Sequence, residues 1–258
     1  MGWQDDQVLT NKPKWESDPI ITSDSSVSAP MIDIREGVSV PELLVPSKNP
    51  YSAGLYPLGR KFSTGDEAVF RVTDPFSHVE IEMRKWRVTH VDADADRVEI
   101  NNGVLVFDLM GNVRGTQNAS MDVPQQVFPA ELFVGKKWVA GWKSRSADGV
   151  TKIVNYELNV AAFEKVRVIA GEFQAFRIEG KGMVIDYGAK LQNRNKRKTL
   201  QLWVVPGINF FLKRNVITFK MKGFGDDTES AELVSLRQQT VDYDVGMHLN
   251  FVINNSCA

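Results

Sequence analysis

The sequence predicts an all-β fold: two repeated antiparallel β-meanders forming a curved sheet or half-barrel, preceded by an extended N-terminal arm. Three observations predict it. From residue 65 onward, apolar and polar residues alternate with a period of two. Turn-forming residues punctuate those runs at strand-length intervals. No window of helical length after residue 50 keeps a 3.6-residue period, so strand should rise well above the usual 20–25%.

The alternation is explicit. Val79, Ile81 and Met83 alternate with Glu80, Glu82 and Arg84; Trp86 and Val88 alternate with Arg87 and Thr89. Tyr156, Leu158 and Val160 alternate with Glu157 and Asn159, and Leu200, Leu202 and Val204 continue the pattern. The turn signals between runs include Asp74-Pro75, Asn101-Asn102-Gly103, Asp148-Gly149, Ala170-Gly171, Pro206-Gly207 and Gly225-Asp226-Asp227.

A repeat at an offset of 70 residues underlies the two meanders. Gly65 aligns with Gly135, Val72 with Trp142, Met83 with Ile153, Trp86 with Tyr156, Val88 with Leu158 and Val98 with Val168, with no gap from 65 to 100. Large apolar residues matched at constant spacing predict two related units sharing one sheet or core. The chain is accordingly divided into an arm or linker (1–50), a first meander (51–127), a second (128–245) and a tail (246–258). Six of the eleven prolines fall in 1–50, together with the polar run Ser23-Asp24-Ser25-Ser26. Proline removes ladder donors and breaks helices, so the arm reads as extended. Ile32, Ile34, Val38, Val40, Leu43 and Leu44 are placed to strap the sheet.

The 258 residues carry 31 basic and 32 acidic side chains, a net charge of −1, so bulk charge does not drive the chain onto nucleic acid. Cys257 is the single cysteine, which excludes an intrachain disulfide and a cysteine-rich zinc site. No run reaches the roughly 20 apolar residues of a spanning helix. No apolar leader segment stands in residues 1–25, so the expectation is a cytosolic protein or one whose leader has been removed.

No dinucleotide fingerprint, phosphate loop, nucleophile elbow or zinc-protease motif is present. Asp92, Asp94 and Asp96 have the acid spacing of a calcium loop, but Arg97 and Gly103 stand where that loop needs glycine and glutamate. Their expected role is to cap a hairpin turn. His78, His90 and His248 lie in separate segments without metal-ligand spacing, and His90 falls opposite Val160 on an apolar face under the repeat. No catalytic residue, metal ligand or cofactor is expected.

Two groups of residues are candidates for binding. Trp86, Phe107, Trp138, Trp142, Tyr156, Phe176 and Trp203 belong to a surplus of strand aromatics larger than one face of one curved sheet can bury. That surplus predicts a covering layer, a sheet wrapped on itself, or an apolar ligand on the concave face. Lys190, Arg194, Lys196, Arg197 and Lys198 form a basic cluster expected at a solvated hairpin tip, where an anionic surface or polymer would make contact.

Three segments carry a family resemblance. Residues 128–138, Phe-Pro-Ala-Glu-Leu-Phe-Val-Gly-Lys-Lys-Trp, are similar to the opening strand of bacterial envelope domains of the DUF3108-like group. Residues 166–178 resemble that group's V-x-V-P-A-G-x-F-x-A-x-x-I hairpin, with Ile169 in place of proline. Residues 202–209 resemble its W-x-x-P-G-V-G hairpin, with Asn209 in place of the last glycine. The resemblance implies a curved antiparallel sheet like that of the Lol lipoprotein carriers, and a periplasmic or secreted location. Residues 49–54 are similar to linkers that follow caspase-like protease domains, which would make the chain a regulatory part without its protease. The expectation is a non-catalytic envelope or accessory module. The alternative is a carrier of an apolar or amphipathic, lipid-like molecule. The partners in view are a lipid-like small molecule, an envelope polymer or another protein, and not nucleic acid.

Overall fold

The computed structural model describes residues 32–34, 56–188, 191–219 and 228–238. The arm residues other than Ile32–Ile34, the 246–258 tail, Lys190, His248 and Cys257 lie outside them. No helix occurs among the described residues. The strands are β1 (Ile32–Ile34), β2 (Tyr56–Pro57), β3 (Glu67–Thr73), β4 (Glu80–Asp92), β5 (Arg97–Ile100), β6 (Leu105–Phe107), β7 (Val113–Thr116) and β8 (Ala119–Met121). They continue as β9 (Glu131–Leu132), β10 (Lys137–Ser146), β11 (Thr151–Val168), β12 (Gly171–Gly188), β13 (Leu191–Val204), β14 (Lys213–Phe219) and β15 (Glu229–Gln238).

The half-barrel is corrected to a closed barrel. Neighbouring strands pair antiparallel from β3 through β8 and β10 to β15, and β15 then pairs β3, from Ser230 opposite Thr73 to Arg237 opposite Glu67. Closure leaves no free edge around the ring, which is how an all-β chain avoids an exposed ladder. It also resolves the aromatic surplus, because a sheet that wraps on itself buries its inner face against itself. Ile32–Ile34 run parallel to β15 beside Leu236–Gln238, so that part of the expected strap does lie on the sheet. β2 and β9 form a separate pair at Tyr56–Leu132.

The repeat is visible where two hairpins begin. Gly65 and Gly135 both have left-handed backbone, φ 96° and 92°. The Gly65 amide donates to Val88 O and the Gly135 amide to Val160 O, each at 2.8 Å. Lys137 pairs Asn159 where Glu67 pairs Arg87, so the offset of 70 on the first strand becomes 72 on the second. Val88 therefore matches Val160, Trp86 matches Leu158, and Tyr156 matches Arg84 rather than Trp86. An even slip preserves the faces, so the alternation survives it.

Two pattern readings change. Val79, Ile81 and Met83 are exposed, at 63%, 58% and 50%. On β4 the even positions Trp86 and Val88 face the interior, which puts Arg84 inward and the odd apolar residues outside. His90 is exposed, not on an apolar face. The β4–β5 register slips between Val88 and His90, and Val160 already has its counterpart in Val88.

One end of the barrel is plugged by its own chain. Pro206-Gly207 makes a turn, with Gly207 at φ 80° and the Ile208 amide donating to Val205 O. Ile208–Leu212 then fold inward, all buried. Asn209 ties this plug to the 58–66 segment: its Nδ2 donates to Lys61 O (2.8 Å) and Asp66 Oδ2 (2.7 Å), and its Oδ1 accepts from the Lys61 amide (2.9 Å). Gln238 closes the other side, donating from Nε2 to Gly207 O and accepting from the Asn209 amide.

Candidate functional site

Above this plug the lumen holds a cavity of about 380 Å³, partly open to solvent. Twelve strands make a ring wider than its own side chains fill. The aromatic side comes from Trp86 on β4, Phe107 on β6, Trp142 on β10, Tyr156 on β11, and Phe210 and Phe211 of the plug. Phe211 stacks on Phe70 at 4.4 Å and meets Trp86 edge-on at 5.5 Å; Trp86 meets Phe107 at 5.7 Å. Trp142 and Tyr156 stack at 5.7 Å. Such offset and edge-on geometries are the favoured ones for ring quadrupoles. Leu105, Leu200, Leu202 and Val216 extend the apolar lining. The Tyr156 ring lies on bare backbone: a Cβ at Gly182 would stand 2.6 Å from its Cδ1.

The same lumen contains charge. Arg84 donates from Nη1 and Nη2 to the two Glu229 oxygens at 2.9 and 2.8 Å, and Arg214 donates to Glu229 Oε1. Two guanidinium groups thus share one carboxylate. Burial alone would raise Glu229, but the hydrogen bonds and charges of the two arginines outweigh it and hold the carboxyl below its ordinary range. Burial lowers Arg214, against the pull of Glu229. Burial would lower Arg84, but its bonds to Glu229 and to Glu82 (2.7 Å) together outweigh that and leave it raised. The bidentate geometry makes Arg84 the principal partner of Glu229.

Arg60 approaches from the segment before β3. Its Nε donates to Ile208 O (3.2 Å) and its Nη1 to Met110 O (2.9 Å), and the guanidinium lies 3.8 Å over the Phe128 ring. Its Nη2 is buried with no hydrogen-bond partner among the described residues. Gly111, at φ 85°, makes room for it, since a Cβ there would collide with Nη1. As a whole residue Arg60 keeps some exposure, whereas Nη2 has none. Burial pushes the group down to about 9, opposed by the charge of Asp108; it stays charged at neutral pH. Asp108 is itself occupied, accepting from the Asn112 and Met110 amides and from Asn112 Nδ2.

Of the seven aromatic candidates, the cavity gathers Trp86, Phe107, Trp142 and Tyr156. Trp138 is on the inward face of β10 but away from the cavity, donating to Gln126 O at 3.0 Å. Phe176 packs on Phe163 at 4.6 Å in the core. Trp203 does not line the cavity: it lies on the face of β13 opposite Leu200, Leu202 and Val204, where it is buried, its Nε1 donating to Glu164 (2.8 Å) with Lys213 over its ring.

The basic cluster is not a tip. β13 begins at Leu191, opposite Gly188, so Arg194 through Lys198 belong to the strand. Arg194 stands opposite Asp186 in the register. Lys196 pairs with the buried Asp186, Arg197 lies on the outside near the Phe219 ring at 5.7 Å, and Lys198 lines the cavity. Asp92 and Asp96 act in the β4–β5 turn: Asp92 accepts from the Ala95 amide, and Asp96 accepts from the Leu109 amide and faces Arg114 at 3.8 Å. Sequence reasoning missed Arg60, Arg84, Arg214, Glu229 and the plug.

No family model matches the chain, and no curated protein matches it in sequence, so the DUF3108-like resemblance rests on the hairpin motifs alone. Two solved structures are similar in backbone. One is a candidate lipoprotein of Parabacteroides distasonis, 10% identical over 70% of this chain and 99% of its own, with a TM-score of 0.45. The other is a candidate exported protein with a YmcC-like fold from Bacteroides fragilis, 11% identical over 70% of this chain and 100% of its own, with a TM-score of 0.43. At that level of likeness neither lends this chain an activity or a ligand. No helix among the described residues is long and apolar enough to cross a membrane.

Proposed function

We propose that the protein is a non-catalytic binding module that holds one apolar or amphipathic small molecule in the barrel lumen. The observation that carries this reading is the aromatic-lined cavity of about 380 Å³ inside a closed wall. Cavities of roughly 300–1,000 Å³ with mostly apolar linings and a few placed polar groups are the usual form of small-molecule sites. At the low end of that range there is room for one chain-sized molecule and not for a two-chain lipid. The envelope setting implied by the hairpin motifs is a proposal of the same kind.

Native mass spectrometry of the full chain with dodecanol as an uncharged probe tests the reading. One added probe per chain is expected, and Leu105→Trp, which fills the cavity from its partly buried wall, should abolish it. Retention of the probe by a folded Leu105→Trp protein would place the ligand elsewhere.

A further inference from the structure

A buried charge is stable in an apolar setting only when a counter-charge or full hydrogen bonding answers it. In this lumen the answer is uneven. Arg84 and Arg214 have Glu229 between them. No ion pair of Arg60 is present among the described residues; Asp108 acts on it through charge alone and spends its hydrogen bonds on the Asn112 and Met110 amides. Two backbone carbonyls take two of its nitrogens, Phe128 covers one face, and Nη2 is left with buried, unused donors. The rest of the lining is mostly rings and aliphatic groups, with Asn112, Gln125, Asn209 and Lys198 among its polar members besides the Arg214–Glu229 pair.

Resting on the reading above, we infer that the lumen's ligand is an anion: a single apolar chain ending in a carboxylate or phosphate, with its chain among Trp86, Phe107 and Phe210 and its acid group on the Arg60 guanidinium, whose Nη2 has no accessible surface in the empty fold and turns toward the lumen to meet it. A planar fork with spare N–H groups suits either acid, and a hydrogen bond to an ionised partner is about twice as strong as a neutral one. The cavity volume limits the ligand to one chain. Arg214 is the weaker seat, since Glu229 already neutralises it and would repel a second anion. Because the anion answers a charge that Asp108 offsets only in part in the empty fold, its binding should also raise the melting temperature.

The test uses the full chain and four probes below their micelle concentrations: dodecanoate, dodecyl phosphate, dodecanol and inorganic phosphate. Calorimetry should show both anionic probes binding about tenfold or more tighter than dodecanol. Arg60→Met should remove that gap by weakening both anions to the level of dodecanol. Arg60→Gln, which retains a donor to the two carbonyls, serves if the methionine variant does not fold, with the same expected loss. A preference for dodecanoate would mark a fatty-acid-like source and one for dodecyl phosphate a lipid-phosphate source; either supports the inference. Dodecanol binding as tightly as the anions would overturn it while leaving the lumen reading intact. A gap that survives the Arg60 variants but vanishes in Arg214→Met would overturn the seat. Inorganic phosphate binding as tightly as dodecyl phosphate would remove the chain from the site. Failure of dodecanol and both chain anions to bind would sink the lumen reading and this inference with it.

Discussion

The β3–β4 and β10–β11 hairpins share a frame and fill it oppositely. Both begin at a left-handed glycine and make the same amide bond across the strand pair. Their inward residues then alternate in size between the two. Ala68, Phe70 and Val72 on β3 match Trp138, Ala140 and Trp142 on β10; Arg84 and Trp86 on β4 match Tyr156 and Leu158 on β11. On β3 and β10 the sizes alternate at each matched position, on β4 and β11 Arg84 meets Tyr156 and Trp86 the smaller Leu158, and only Val88 and Val160 are alike. A closed ring needs this, because identical hairpins would crowd one layer of the lumen and leave the next empty. The two also differ in what they face: Phe70 is fully buried against Trp86 and Phe211, whereas Trp142 borders the cavity.

That difference sets the largest expected effect. Phe70→Ala opens a void inside a packed cluster and should cost about 3–5 kcal/mol. Trp142→Ala enlarges a space that solvent already reaches, so its cost should fall below that range despite the larger side chain. Urea midpoints at unchanged slope would measure both. Equal losses would mean that the two hairpins bury their large residues alike.

Much of this frame is legible in the sequence, and the misreadings have definite causes. Alternation alone locates β4, β11 and β13. It also contains the placement of Trp203 on the opposite face, since Leu200, Leu202 and Val204 occupy the other parity. Met83 and Trp86 differ in parity, so the apolar runs on either side of Arg84 could not share one face. The closure of β15 on β3 joins residues more than a hundred positions apart and leaves no local mark. Arg60 is a loop residue whose partners, Met110 and Ile208, come from distant turns; no periodicity reaches it. Asn209 stands at an irregular position of a hairpin motif, and only the plug shows why an amide there is useful.

The matched position of Arg84 and Tyr156 gives the next two tests. Glu229→Gln leaves Arg214 without its carboxylate and Arg84 with only Glu82, and should cost about 2–3 kcal/mol, less than a fully buried pair because the cavity admits water. Glu229 is held below its ordinary range, so its stabilisation is complete above the unfolded value near 4.5 and is lost as pH falls through its folded value. Melting temperatures from pH 7 to pH 3 should therefore fall less steeply for Glu229→Gln than for wild type. Parallel curves would show that Glu229 is not held by the arginines. Beside the other hairpin, on β12, Gly182→Ala puts a Cβ 2.5 Å from Asn155 O and 2.6 Å from the Tyr156 ring. Backbone cannot yield as a flexible side chain does, so about 1–3 kcal/mol is expected, with a displaced Tyr156 ring and weaker binding in the lumen. Unchanged stability and binding would show that Tyr156 does not depend on that bare surface.

The smallest effect tests whether the glycine turns that open the two hairpins are equivalent at all. Gly135 has φ 92° and a Cβ built on it would meet nothing within 4 Å, so Gly135→Ala should register backbone strain and no clash. Left-handed backbone costs an L-residue about 1–2 kcal/mol. For a chain of this size each kcal/mol moves the melting temperature by about 2–4 °C. Gly65, at φ 96° with the same bond to the opposite strand, should respond to alanine by a similar amount. A loss at Gly65 several kcal/mol larger would mean that the first turn is additionally packed, by the Asp66–Asn209 contact that ties it to the plug. The second turn has Lys136 at the position of Asp66, so the comparison isolates the plug's hold on the first hairpin from the turn geometry that both share.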